Sequence, residues 1–200
     1  VTAAMIAKIP IAHLHGGEAT EGAFDEAIRH SITKMSHLHF VSTETYRNRV
    51  IQLGENPGKV FNVGSTGVER IKKLKLIPKE KVEDYIGIKL NKTNFLITIH
   101  PETLNIERSA KDQFINLFSV LEEIKETSFI FTKSNSDTGG ISLNRSIEDF
   151  VGKDKTTRVL HSSLGQEKYI SLLNNVDAVI GNSSSGLVEA PTLGVPTINI

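Results

Sequence analysis

An α/β protein built on parallel sheets is the fold class this sequence predicts, and three observations predict it. Short apolar runs alternate with longer segments whose apolar residues recur at helical spacing. The connections between them are short turns. Some runs are apolar almost throughout, as in Val176-Asp177-Ala178-Val179-Ile180, which suits a strand buried on both faces of a parallel sheet.

Taken in order, Val1 opens inside a helical segment that feeds a strand over Ile11 to His15. A Gly-rich loop follows, then a helix from about Phe24 to Met35, where Phe24, Ala27, Ile28, Ile32 and Met35 form one apolar stripe. His37 to Ser42 reads as a strand. Thr43 begins a helix to Leu53, since Tyr46, Val50 and Leu53 recur at helical spacing. Lys59 to Val63 is a strand, and Gly64-Ser65-Thr66-Gly67 is a loop and the expected domain junction. Next come a helix over Lys79 to Ile86, the strand Asn94 to Ile99, a helix over Ile106 to Glu126 and the strand Phe129 to Thr132. A helix near Leu143 to Val151, the strand Thr157 to Leu160, a helix over Gln166 to Leu173 and the strand Val176 to Ile180 complete the alternation. Leu187, Ala190 and Leu193 give the last segment helical spacing, and Ile200 stands at the end of another strand. Both ends look cut, so the expectation is a piece of a longer protein.

The chain has 200 residues, with 23 basic and 23 acidic side chains and no cysteine. Basic and acidic residues alternate, which argues against a nucleic-acid surface. No apolar run is long enough to span a bilayer, so no membrane partner is expected. Without cysteine there is no disulfide, thiolate zinc site or cysteine nucleophile, a pattern compatible with the cytoplasm, where the reading puts the protein.

Three constellations could carry chemistry. Gly181-Asn182-Ser183-Ser184-Ser185-Gly186 joins a strand to a helical segment, where free N–H groups and the helix dipole suit a phosphate or diphosphate. Ser184, Ser185 and Gly186 would admit the ligand closely, and Glu189, about a turn further on, would reach ribose hydroxyls. An ordinary Ser N-cap is the competing reading. His13-Leu14-His15-Gly16-Gly17-Glu18 ends the first strand; residues two apart on a strand share a face, so both imidazoles are expected on one side. No carboxylate is spaced to complete a metal site there. Glu18, expected on an exposed loop, and Glu26 are a candidate pair for proton transfer, with Arg29 orienting a carboxylate; dipole complementarity competes for Asp25 and Glu26. His100 ends the strand before Pro101, and Ser134-Asn135-Ser136-Asp137 and His161 end two more, at the strand ends that face the ligand crevice in open α/β sheets. A surface loop is the favoured reading of the Asn135 segment. No Gly-x-Gly-x-x-Gly or Walker lysine occurs.

These motifs in this order resemble the hydrolysing UDP-N-acetylglucosamine 2-epimerases of sialic-acid-type biosynthesis. The likeness runs from HLHGGEATEGAFDEAIRHSITKMSHLHFVSTETYRNRVIQLGE through VFNVGS, IHPET and SNSDTGG to GNSSSGLVEAPTLGVPTINI. It implies a GT-B-like fold of two Rossmann-like parallel-sheet domains, both incomplete here: residues 1–66 would end the first and 67–200 would form most of the second, with UDP bound mainly by the second in the cleft between them. The implied chemistry is removal of the sugar C2 proton with loss of UDP, then addition of water to the glycal, releasing a free 2-epimeric sugar such as N-acetylmannosamine. Glu18 and Glu26 match the family's cleft carboxylates, His100 its active-site histidine near the diphosphate, and Ser184, Ser185 and Gly186 its diphosphate-binding helix start. Glu189 matches its ribose ligand, and Asn135 and His161 match weaker uridine-side contacts. No metal or redox cofactor is implied, and homo-oligomers are usual in the family. The family's first strands, with a Gly-Asp-Arg segment whose Asp is a candidate C2 base, are missing, as is the Arg-rich segment after the last strand, so these residues alone are expected to be inactive. Related readings are the same chemistry on UDP-2,4-diacetamido-2,4,6-trideoxyglucose, the non-hydrolysing epimerase, a GT-B glycosyltransferase and a non-catalytic nucleotide-sugar sensor.

Overall fold

Helix α1 (Thr2–Ile6) leads into three parallel strands, β1 (Ala12–Leu14), β2 (Leu38–Val41) and β3 (Val60–Asn62), arranged in that order. The computed structural model describes residues 1–19, 25–100, 110–134 and 140–200. Helix α2 (Asp25–Met35) joins β1 to β2; α3 (Glu44–Gln52) and a 3-10 turn (Pro57–Lys59) join β2 to β3. Thr43 caps α3 by accepting from the Tyr46 N–H at 3.2 Å, while Asn56 accepts from the Gly58 N–H ahead of the short turn. Val41, Val50 and Val60 form the small core under this sheet. The chain divides into two compact units, Val1–Glu69 and Arg70–Ile200, and helix α4 (Thr66–Lys73) runs across that division.

The second unit contains α5 (Lys79–Ile86), β4 (Thr93–Thr98), α6 (Ala110–Glu123), β5 (Thr127–Thr132), α7 (Gly140–Gly152) and β6 (Arg158–His161). It continues with α8 (Gly165–Leu173), β7 (Ala178–Gly181), a 3-10 turn (Ser184–Gly186), α9 (Glu189–Thr192) and β8 (Thr197–Asn199). All five strands are parallel, in the order β6-β5-β4-β7-β8. Alternate residues of the central strands feed two separate cores. Leu96, Ile130 and Val179 pack with Val82 and Ile86 of α5 and Ile170, Leu172 and Leu173 of α8. Ile97, Phe129, Phe131 and Ile180 pack with Leu121 of α6 and with Leu143, Ile147 and Phe150 of α7. The result is a sheet covered by helices on both faces, which explains the continuous apolar runs.

Three elements differ from the sequence reading: the first is the expected loop Gly64–Gly67, whose last two residues open helix α4, with Ile71 of its apolar face buried. In α2 the buried residue is Thr33, whereas Ala27 is exposed and Ile28 is 52% exposed. The helix approaches the sheet through the Thr33 hydroxyl, which meets His13, so the apolar stripe is not the contact face; Phe24 lies outside the described residues. At the other end, the helical segment after the Ser-rich turn is a single turn, Glu189–Thr192, closed at once by Gly194 with φ 73°. A helix this short carries little dipole.

Candidate functional site

Chain order reverses at β4 in the second unit: β5 and β6 extend the sheet on one side, β7 and β8 on the other. In open parallel sheets the crevice at such a point, outside the carboxyl ends of the strands, is where ligands bind. His100 follows the end of β4, and Asn182 to Gly186 follow the end of β7, its neighbour across that point. The Asn182 side chain holds both main-chain polar groups of His100, at 2.8 Å each. Ser134, beyond β5, brings its hydroxyl to 3.5 Å from His100 Nδ1.

The Ser-rich turn is held from within. The Gly186 N–H donates to the Ser183 carbonyl, and the Leu187 and Val188 N–H groups both donate to that of Ser184, each at 3.0 Å. Ser184 is exposed. Ser185 is buried, and its hydroxyl accepts from the Tyr169 hydroxyl at 2.7 Å. Burial raises the Tyr169 pKa above the ordinary 10.0 against the opposing bonds to Ser185 and Thr98, and the Glu189 charge raises it further. The phenol therefore stays a neutral donor. Gly186 faces β8, where a Cβ would stand 2.7 Å from Thr197 Cγ2, and its carbonyl accepts from Thr197 Oγ1 at 2.7 Å. Packing against Thr197 by itself therefore requires glycine at this position. Glu189 is half-buried, and its Oε2 is fully enclosed with no hydrogen-bond partner among the described residues. A buried carboxylate oxygen without a donor is costly.

His161 ends β6 with its imidazole turned to α5: Nε2 donates to the Ile86 carbonyl at 3.2 Å, and its own carbonyl accepts from the Lys133 N–H. Both groups serve the sheet and the helix beside it. Asn135 lies outside the described residues.

In the first unit the Gly-Gly-Glu loop is pinned on several sides. Glu18 Oε1 accepts from His15 Nδ1 at 2.8 Å and from the Ser42 hydroxyl at 3.0 Å. Arg29 donates to the Glu18 carbonyl at 2.8 Å, and Arg49 donates to that of Gly17. Gly17 has φ 80°, and a Cβ there would press on the Tyr46 carbonyl, so the loop requires glycine. Glu18 is consequently half-buried and fixed, not on the exposed loop expected, and Arg29 holds a peptide carbonyl of the loop. The two imidazoles part company. His15 adopts φ 61°, leaves the strand and turns to Glu18 and Thr66, while His13 Nδ1 meets Thr33 Oγ1 at 3.2 Å. The Thr33 hydroxyl also stands 3.1 Å from the Arg29 carbonyl, so its one hydrogen goes either to that oxygen or to His13 Nδ1. Burial lowers the His13 pKa below the ordinary 6.5, and the charges of His39, Arg29 and His15 lower it further.

A cavity of about 300 Å³ lies over this loop, lined by His13, Leu14, His15, Glu18, Asp25, Ile28, Arg29 and Ile32. Ligand pockets start at about that size. Asp25, rather than Glu26, stands in its wall; Glu26 instead reaches His30 Nε2 at 3.3 Å, one turn along α2. Helical phase explains the exchange, since neighbours on a helix point about 100° apart. Among the described residues no group of three His, Asp or Glu could hold a metal ion, and no helix is long and apolar enough to cross a membrane.

The sequence profile of UDP-N-acetylglucosamine 2-epimerases matches residues 1–200. The chain belongs to that family. It is 44% identical over 196 residues to a Campylobacter jejuni GDP/UDP-N,N'-diacetylbacillosamine 2-epimerase (hydrolyzing), covering 98% of this chain and 51% of that protein. It is 47% identical over 199 residues to polysialic acid biosynthesis protein P7 of Escherichia coli, covering 99% and 50%. The chain therefore spans about half the length of the curated relatives it matches. The crystal structure of UDP-GlcNAc 2-epimerase from Neisseria meningitidis bound to UDP-GlcNAc shares its fold, with a TM-score of 0.79 at 21% identity over 99% of this chain and 54% of that one. The fold is the GT-B-type α/β class that the sequence predicted.

Within this UDP-N-acetylglucosamine 2-epimerase family member, sequence reasoning missed Asn182, Tyr169, Ser42 and Arg49. Asn182 stood inside a motif already singled out. Ser42 and Arg49 lie in the long run that carries the family likeness without having been singled out there, Tyr169 lies on a segment with no motif, and only their partners in space reveal the three.

Proposed function

We propose that this chain forms part of a hydrolysing UDP-N-acetylglucosamine 2-epimerase, which converts UDP-N-acetylglucosamine and water to N-acetylmannosamine and UDP. In this reaction a base takes the C2 proton and the C1–O bond to UDP breaks, leaving a 1,2-glycal. Water then adds across that double bond, with hydroxyl to C1 and a proton to the opposite face of C2. The observation that carries the reading is the half-buried Glu189 carboxylate beside the Ser-rich turn at the switch point. A ribose hydroxyl is a donor of the right kind for it, and Ser184 and Ser185 would then face the diphosphate, with His100 offsetting the charge of the leaving group. Because the helix after the turn is so short, affinity for the diphosphate would come from hydroxyl donors such as that of Ser184 more than from a dipole. On the sugar side we assign proton transfer or stabilisation of the oxocarbenium-like species to Glu18 and Glu26, and Asp25 joins them because it shares the Glu18 cavity. Asn135 and His161 are assigned weaker uridine-side contacts, for His161 through its main chain.

A second reading is the same chemistry on UDP-2,4-diacetamido-2,4,6-trideoxyglucose. The specific support is the 44% identity to the Campylobacter jejuni enzyme named for the diacetylated sugar. We propose a cytoplasmic homo-oligomer that acts on the nucleotide-sugar without nucleic acid or membrane partners.

The test is incubation of the protein at its natural full length with UDP-N-acetylglucosamine in deuterated water, followed by proton NMR. Free N-acetylmannosamine deuterated at C2, together with UDP, is the expected result. Turnover of the diacetamido sugar alone would select the second reading, and transfer to an acceptor would overturn both. Separately, Ser184→Ala with Glu189→Ala should weaken UDP binding; unchanged affinity would remove the assigned site.

A further inference from the structure

The ladder between β4 and β7 ends at the pair Thr98 and Gly181, yet the two segments stay joined beyond it through a side chain. Asn182 Oδ1 accepts from the His100 N–H at 2.8 Å, and Asn182 Nδ2 donates to the His100 carbonyl at 2.8 Å. A carboxamide has the donor and acceptor of a peptide group, so this side chain stands in for one more strand residue. By holding both polar groups of one residue it fixes the backbone of His100, hence the point from which its imidazole projects. Asp lacks the donor, Ala lacks both groups, and Gln is a methylene too long. No other uncharged side chain of this length supplies both groups.

We propose that Asn182 is a positioning residue for His100, coupling the Asn182–Gly186 turn to the placement of the imidazole. The proposal rests on the reading above in which His100 acts beside a diphosphate held at that turn. Asn182 itself touches no reacting atom.

A double-mutant cycle on the natural-length protein tests it, using His100→Ala, Asn182→Ala and the pair, with turnover of UDP-N-acetylglucosamine as readout. Asn182→Ala should lower kcat about tenfold or more with little change in KM, the size expected when a proton-transfer or charge-offsetting group is misplaced. In the His100→Ala background the same substitution should cost less than about twofold, because residues acting as one unit are not additive. The near-isosteric Asn182→Asp, which preserves volume but exchanges the donor for a charged acceptor facing the His100 carbonyl, should lower kcat at least as much as the Ala variant. Undiminished cost in the His100→Ala background, or wild-type kcat in Asn182→Ala, would overturn the positioning role. Wild-type turnover in His100→Ala would instead sink the reading of His100, and this inference with it. A readout independent of turnover uses UDP alone as probe: His100 ring resonances should shift on binding and lose at least about half of that shift in Asn182→Ala. An unchanged shift would also overturn the proposal.

Discussion

Gly181 rests directly on the carbonyl of Thr98, with no space between them for a side chain. Its φ of 144° is a further barrier to any L side chain. Gly181→Ala should therefore destabilise the second unit by about 3 kcal/mol, combining backbone strain with overlap in a packed sheet. Gly64→Ala is the control: φ there is 75°, with nothing within 4 Å of the added carbon, so only the conformational term of about 1 kcal/mol remains. Urea unfolding of the two variants measures the difference, and equal effects would refute the steric account.

Phe150 is the hub of an aromatic cluster. Its ring lies 4.9 Å from Phe118 and 5.6 Å from Phe131, and the Arg158 guanidinium stands 3.9 Å above it. Phe150→Ala should cost about 3–5 kcal/mol through the cavity it opens. Phe150→Leu should recover part of that loss but not the cation–π contact. Thermal unfolding followed by circular dichroism checks the order of the three proteins.

Acid should unfold the chain in stages set by two carboxylates. Burial alone would raise the Glu55 carboxyl, but the bond and charge of Lys34, together with His39, outweigh burial and hold it below the ordinary 4.5. Asp154 is lowered from 3.8 to about 2, chiefly by the Thr156 and Thr157 hydroxyl bonds and then by the Thr156 N–H. A depressed carboxylate stabilises above its unfolded pKa, and the effect fades as pH falls through the folded one. Glu55→Gln should flatten the first loss of stability below 4.5, and Asp154→Asn the part that extends toward about 2. Denaturant melts across that range supply the test.

His13 should titrate below 6.5, remaining neutral at pH 7. The folded chain binds this proton less readily than the unfolded one, so acidification through 6.5 should weaken folding. His39→Gln removes one of the charges that depress it and should move the titration back toward 6.5. Nitrogen-15 NMR of the imidazole reads the titration, and a midpoint at or above 6.5 would contradict the depression by burial.

Ser42 supplies one of the two donors to Glu18 Oε1. If Glu18 moves a proton, Ser42→Ala should lower turnover about tenfold while leaving UDP affinity alone, since the hydroxyl holds the carboxylate in place and does not touch the nucleotide. A coupled UDP assay beside calorimetric binding separates the two quantities.

What the sequence made legible is what is local. The strands around Leu96, Ile130 and Val179 are written in runs of neighbouring apolar residues, and the Thr43 cap lies three positions from the N–H it holds. What it concealed depends on partners far along the chain. Arg49 reaches Gly17 across 32 positions, Tyr169 reaches Ser185 across 16, and Asn182 reaches His100 across 82. The buried face of α2 was misread for a related reason. Periodicity identifies an apolar stripe, but it does not say that the Thr33 hydroxyl and His13 ring will form the contact. Likewise Glu26 and Asp25 are interchangeable on paper, and only the phase of the helix decides which one faces the cavity.

The turn from Ser184 to Gly186 is gripped from beneath by the Tyr169 phenol and from the side by Thr197. Its conformational freedom is therefore surrendered during folding, before any anion arrives. Association with a diphosphate would then need no ordering of this segment, and the entropic penalty that weakens binding by flexible loops would be largely absent. Loosening either grip should appear as faster release of the ligand, with the rate of capture nearly unchanged.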